Sequence, residues 1–185
     1  MDEIELMFRV KEGDEDAFRE IVERYQRQII GLCFRYVGNQ QDAEEIAQDV
    51  FIHLYRAAST YQPRAKLSTY LYRIAVNLSL NRIRDDKWKR FISWEFTNQD
   101  KKKRVASPMI DGPDSLMEQK EQYKIIREAI DSLPVNQKTA VILKRFQGLS
   151  YEEIAEVMNC SVSAVESRLH RAKQNLKKKL KHLVT

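Results

Sequence analysis

Cysteine is nearly absent, with only Cys33 and Cys160 in 185 residues. Neither has a second cysteine or a suitably spaced histidine close by, which excludes a disulfide framework and a zinc site and fits buried free thiols in a reducing compartment. Glycine and proline are scarce too, at 5 and 4 residues, so helices meet few interruptions and there is no glycine-rich phosphate loop. The three histidines, His53, His170 and His182, fall on different predicted helices without a matching carboxylate. No nucleophile elbow and no paired metal-binding histidines occur. We therefore expect no catalytic residue, no metal and no cofactor. No apolar run approaches membrane-spanning length, and the first residues are acidic where a secretion signal would be basic and then apolar. The expectation is a cytoplasmic protein with no membrane insertion.

What the chain has in abundance is charge. Charged residues make up 32 % and apolar residues 43 %, with a formal net charge of +5. The distribution says more than the total. Residues 1–23 hold nine acidic and three basic residues, residues 56–90 hold nine basic and two acidic, and residues 167–185 hold seven basic and none acidic. Two separated basic zones suggest one extended polyanion touched twice. The length suits one ordinary domain or two small ones, so internal organisation must decide.

Apolar residues recur at helical spacing from Ala17 to Tyr36, with Asp14 as N-cap and Gly38 as stop, and again from Ala43 to Ala58 after Asn39. Val22 and Tyr55 belong to these inner faces. A short helix is expected around Ile4–Lys11, and another that begins after Ser68 or Thr69 and runs to about Lys87. Periodicity then fails, and 97–114, with Lys101-Lys102-Lys103-Arg104 and two prolines, reads as a linker. Helices resume with capping boxes at Ser115/Glu118 and Ser150/Glu153, Pro134 opens a helix at its first turn, and Gly148 stops it. Nothing reads as a strand. The fold class is all-α, with two small helical domains, 1–96 and 115–185, on a flexible tether.

The second domain ends in a helix-turn-helix pattern. Ile154, Ala155 and Met158 define a short helix, Asn159-Cys160-Ser161 a tight break, and Val162, Val165, Leu169, Ala172 and Leu176 a longer helix. Asn159 tolerates the left-handed backbone such a turn needs, and Ser161 can cap the longer helix. Opposite Val165 and Leu169 lie Ser163, Ser167, His170, Arg171 and Gln174, able to reach base edges or phosphates, with Lys173, Lys177, Lys178, Lys179 and Lys181 beyond. An ordinary helical hairpin with a solvated basic end would look the same.

In the first domain, Tyr70, Arg73, Asn77, Asn81 and Arg84 fall in one narrow sector of a helix at about 100° per residue. Leu71, Ile74, Ala75 and Leu78 lie beside it as the core face. Asn pairs a donor with an acceptor, Arg binds phosphate or guanine, and Tyr stacks on an unpaired base. The preceding loop, from Tyr61 to Ser68, adds Arg64 and Lys66. The alternative is a solvated stripe whose arginines pair with local acids. Trp88, Phe91, Trp94 and Phe96 read as aromatics closing the first core, or alternatively as a partner patch.

Three strings now become recognisable: Ser68-Thr69-Tyr70-Leu71-Tyr72-Arg73-Ile74-Ala75-Val76-Asn77, Asp42-Ala43-Glu44-Glu45-Ile46-Ala47-Gln48-Asp49-Val50-Phe51, and Leu149-Ser150-Tyr151-Glu152-Glu153-Ile154-Ala155 followed by Val165-Glu166-Ser167-Arg168-Leu169-His170-Arg171-Ala172. In this order they resemble the promoter-melting, polymerase-docking and upstream-element segments of extracytoplasmic-function RNA polymerase sigma factors. The resemblance implies a region-two domain that opens and reads the −10 element and a region-four domain that reads the −35 element as duplex. It implies two partners, core RNA polymerase and promoter DNA, no obligate homo-oligomer, and the anti-sigma factor that commonly holds members of this family inactive. Carried over, Asp42, Glu45, Gln48 and Asp49 would face the clamp of the largest polymerase subunit. Tyr70, Arg73, Asn77, Asn81 and Arg84 would approach the melted element, with Arg64 and Lys66 in the capturing loop. Ser163, Ser167, Arg168, His170 and Arg171 would approach the upstream element. Leu67, Tyr70 and Asn81 stand where an aromatic, Trp and Asp are frequent in the family, and Glu166 where many members carry a cation. The first three departures bear on promoter sequence, not on role, and Glu166 either redirects base choice or serves as a helix-turn acid.

Two other functions compete with this reading. A stand-alone helix-turn-helix regulator would bind tightly without polymerase, usually at a paired half-site. An enzyme acting on nucleic acid would need a constellation of acids or metal ligands that the sequence lacks.

Overall fold

The computed structural model describes residues 2–62, 66–96 and 115–181, with side chains for 2–62, 66–89 and 123–181. The linker expectation, Arg64, His182, the Ser115/Glu118 box and the side chains of Phe91, Trp94 and Phe96 lie outside what is described. The chain divides into two compact units, one ending at Ser107 and the other beginning at Pro108. Among the described residues all regular structure is helical.

The first unit starts with α1 (Glu3–Lys11), capped by the Asp2 carboxylate. Leu6, Met7 and Val10 are its buried face. Asp14 then does two jobs. Its carboxylate accepts from the backbone N–H of Asp16 and Ala17, opening α2 (Glu15–Val37), and also takes the Arg9 guanidinium. The Ala17 N–H first, and Arg9 next, hold its carboxyl below the usual Asp range. Ala17, Ile21, Tyr25, Ile29, Leu32, Cys33 and Tyr36 form one buried stripe along α2. Gly38, at φ 80°, ends the helix in the left-handed region, and the Asn39 side chain accepts from Asp42 N to start α3 (Gln40–Ala57).

Helix α4 (Leu67–Phe96) follows a 3-10 turn at Ala58–Thr60 and packs against both α2 and α3. Its buried residues are Leu67, Thr69, Leu71, Tyr72, Ala75, Val76 and Ser79. The Tyr72 hydroxyl donates to Gln28 Oε1 at 2.8 Å, which ties α4 to α2. The helix starts before Ser68 and runs past Lys87, longer at both ends than its apolar pattern. Ser79 is the helix's last fully buried residue among those described; Leu80, Arg82 and Ile83 are half-buried, and Lys87, Trp88 and Lys89 are exposed. No glycine or proline lies between 67 and 96 to end it. Two further expectations are corrected. Trp88 is 63 % exposed and closes no core, and Tyr55, expected inside, is 47 % exposed and set edge-on to Phe18 at 5.1 Å.

The second unit comprises α5 (Ser115–Asp131), α6 (Val135–Phe146), α7 (Tyr151–Met158) and α8 (Val162–Lys179), with α8 packed against the other three. Pro134 sits one position earlier than expected, as the N-cap residue of α6, its carbonyl accepting from Gln137 and Lys138 N–H. Ile142, Leu143, Ile154, Val165 and Ala172 are almost completely buried. Val157 fills the core position expected for Met158, and Phe146 is 39 % exposed. The Ser150/Glu153 box is formed in both directions, at 3.1 and 2.8 Å. Asn159 takes φ 48° and ψ 56°, and Ser161 Oγ accepts from Ala164 N to begin α8. Cys33 is buried, and burial pushes its thiol up to about 11. Cys160, expected to be buried as well, is only half-buried.

Candidate nucleic-acid interfaces

Along α4 the predicted stripe is continuous and turned outward. Arg73, Asn77, Asn81 and Arg84 are exposed and Tyr70 is half-buried at the loop end. The Arg73 guanidinium lies 5.5 Å from the centre of the Tyr70 ring, and Tyr61, across the loop, meets the same ring edge-on at 5.4 Å. Burial, ahead of the nearby Glu3 charge, raises the Tyr61 phenol. The result is a cation over an aromatic ring that a second ring meets edge-on, chemistry suited to an unpaired base and its phosphate. Sequence reasoning reached Tyr61 only as part of the loop, since nothing local marks its ring as Tyr70's neighbour. Lys66 is exposed at the loop's far end. Arg84 pairs with Asp85 at 3.5 Å, but both side chains are largely in solvent, so the pair competes weakly with a phosphate. At about 100° per residue Trp88 falls on the same line as Tyr70 and continues the stripe.

The acidic face of α3 is partly engaged already. Arg82 of α4 reaches Asp42 Oδ1 at 2.5 Å and Glu45 Oε2 at 3.1 Å, with the Arg82 and Asp42 side chains 29 % and 28 % exposed. Burial works to lower the Arg82 guanidinium pKa, but Glu45 and Asp42 outweigh it and the net displacement is upward. Sequence reasoning missed this residue because its partners lie 40 and 37 positions away. Gln48 and Asp49 stay exposed on α3. Beyond them Ile52, Tyr55 and Arg56 form, with Glu15, Phe18, Arg19 and Val22 of α2, an open and mostly apolar groove.

On α8, Ser163, Ser167, His170, Arg171 and Gln174 are exposed together, and His170 and Gln174 share a hydrogen bond at 2.9 Å. Arg168 does not join them. It lies about 140° round the helix from Ser163, half-buried, its guanidinium turned back on the helix-turn-helix break, 3.0 Å from Cys160 Sγ and 3.8 Å from Met158 Sδ. Glu166 is exposed at the edge of this polar face, and Lys173, Lys177, Lys178, Lys179 and Lys181 continue the positive charge. Asn175 Nδ2 donates to Gln137 at 2.9 Å, holding α8 on α6.

Among the described residues no cluster of His, Cys, Asp and Glu could hold a metal, and no helix is long and apolar enough to cross a membrane.

Comparison with known proteins fits this geometry. The family model for sigma-70 region 2 matches residues 21–89, and that for sigma-70 region 4 matches residues 123–176. The chain is 37 % identical over 177 residues to the ECF RNA polymerase sigma factor SigW of Bacillus subtilis, covering 95 % of both chains. It is 36 % identical over 183 residues to the ECF RNA polymerase sigma-E factor of Escherichia coli K12, covering 97 % of this chain and 94 % of that one. Its fold is similar to that of CnrH in complex with the cytosolic domain of CnrY, with TM-score 0.70, 19 % identity and 96 % of each chain covered. It is similar also to the sigma factor RpoE of Bartonella quintana in complex with the anti-sigma factor NepR, with TM-score 0.69, 20 % identity, and coverage of 89 % of this chain and 96 % of that one.

Proposed function

We propose a division of labour on the premise that this chain belongs to the extracytoplasmic-function RNA polymerase sigma factors. As such it directs promoter-specific transcription initiation. The first unit docks on core polymerase through α3, where Asp42, Glu45, Gln48 and Asp49 face the clamp, and holds the melted −10 strand along α4. The second unit lays α8 in the major groove of the −35 element. The observation that carries this reading is the outward polar stripe on α4, running from the Tyr61–Tyr70–Arg73 cluster to Arg84.

Magnitudes explain why such a subunit needs a larger machine. Stacking one captured base on an aromatic ring is worth about 1–3 kcal/mol, while each opened base-pair step loses roughly 1.4 kcal/mol of stacking. One cluster therefore offsets one or two steps, and opening a longer stretch needs polymerase contacts. The chain has no chemistry of its own in this scheme and acts in the cytoplasm. Its inhibitory partner would be an anti-sigma factor covering the α3 face and the adjoining groove.

Run-off transcription with purified core polymerase tests the whole reading. The expected result is defined transcripts from a subset of the organism's own promoters, and their complete absence would remove it. Arg171→Ala is expected to weaken binding to the upstream duplex by roughly 1–3 kcal/mol, and to relax preference at a single base pair. Arg168→Ala should instead act through the turn, without changing which base is preferred. Titration of duplexes with single-base changes separates the two.

A further inference from the structure

Helix α4 must begin at a fixed place if Tyr70, in its first turn, is to meet Tyr61 and Arg73 as observed. Four backbone N–H groups at a helix start have no partner within the helix, and an uncapped first turn frays. The sequence just before α4 offers Lys66, which has no acceptor on its side chain. The acceptor comes from elsewhere. Glu3 Oε2 of α1 takes the Leu67 N–H at 3.1 Å, across 64 positions of sequence. Its other oxygen accepts from the Tyr25 hydroxyl of α2. Burial, with Glu3 next, drives the Tyr25 phenol upward, so this donor keeps its proton throughout the physiological range.

Helix α1 reaches both shoulders of the loop. It packs on α2, with Leu6, Met7 and Val10 buried, and it touches the 3-10 turn at Ala58–Thr60 that leads into Tyr61. Tyr61 N–H donates back to Ala58 O at 3.4 Å. The two rings in edge contact thus hang from the two elements that α1 braces. A carboxylate is also the favoured group at that end of α4, where the helix dipole is positive.

We propose that Glu3 is a positioning residue for strand capture, capping α4 from a distant helix so that the Tyr61–Tyr70–Arg73 cluster is set before an unpaired base arrives. The inference rests on the reading of α4 as the melted-strand surface. It calls first for an acceptor for the Leu67 N–H at the reach of a glutamate side chain, with negative charge a smaller addition, and this separates two conservative variants. Glu3→Gln keeps the reach and one acceptor oxygen for the Leu67 N–H, while its amide NH2 can donate to the Tyr25 oxygen in place of accepting from it. Glu3→Asp keeps the charge and loses the reach.

The experiment uses holoenzyme reconstituted from the full chain and core polymerase. The probes are a labelled single-stranded oligonucleotide of the non-template −10 sequence and, separately, a duplex carrying the −35 element. Glu3→Asp and Glu3→Ala are expected to weaken oligonucleotide binding about fivefold, the size of a lost helix cap, with duplex binding and core affinity unchanged. Glu3→Gln should stay within about twofold of wild type. Wild-type oligonucleotide binding by Glu3→Asp overturns the proposal, as does an equal loss on both probes, which would mark a general loss of structure. If Glu3→Ala does not fold, the Asp and Gln variants decide alone. Arg73→Ala serves as the reference. If it weakens oligonucleotide binding and Glu3→Asp does not, only the bracing role falls, whereas if neither does, the reading of α4 falls with it.

Discussion

Arg73→Ala combined with Asn77→Ala is expected to lower run-off transcription about a hundredfold, while the chain still binds core polymerase with unchanged affinity. Each side chain, if it makes one good contact to a base or phosphate, contributes roughly 1–3 kcal/mol, and each 1.4 kcal/mol is a factor of ten. Both residues are exposed on α4, so folding has little stake in them. Arg73 carries the extra role of holding its guanidinium by the Tyr70 ring. The loss should therefore show as reduced permanganate reactivity of thymines in the melted element, with the chain's melting temperature held. Transcription within about twofold of wild type would leave the stripe as an ordinary solvated surface.

The second large effect concerns the independence of the two units. Leu143, on α6, has no exposed surface, and Leu143→Ala is expected to cost about 2–5 kcal/mol through lost burial and the cavity left behind. A helical unit this small holds only roughly 3–5 kcal/mol in reserve. The second unit should then be largely unfolded at 37 °C, and binding to the upstream duplex should vanish. The first unit should not notice. Calorimetry is expected to give two transitions, only the one from the second unit moved, with −10 oligonucleotide binding by the holoenzyme intact. A single transition displaced as a whole would mean that the two units fold as one.

What could be read from the sequence was local in origin. Asp14, Gly38, the Ser150/Glu153 box and the left-handed Asn159 each act within a few residues of where they stand, and the structure places each as expected. Apolar periodicity finds α2 and α3 because both are buried along their length. It loses the far end of α4, past about Lys87, because periodicity reports burial, and Lys87, Trp88 and Lys89 are helical and exposed. Hydrophobicity alone puts Trp88 in a core, although its angle sets it in line with Tyr70. The start of α4 and the Arg82 pairing with Asp42 and Glu45 depend on partners dozens of residues away, which no local pattern encodes. Arg168 is different. Its angle on α8 already sets it apart from Ser163 and His170, and only the family resemblance puts it among them.

Beyond Arg82, whose guanidinium still grips Asp42 and Glu45 of α3, α4 is a cantilever, anchored at one end and supported past the anchor mainly by its own backbone hydrogen bonds. Each added residue carries the contact surface about 1.5 Å farther out, and those from Lys87 to Lys89 bring little burial to stiffen it. Rigidity over that span must come from helix-forming composition, and a glycine or proline placed there would bend the beam without disturbing the anchor.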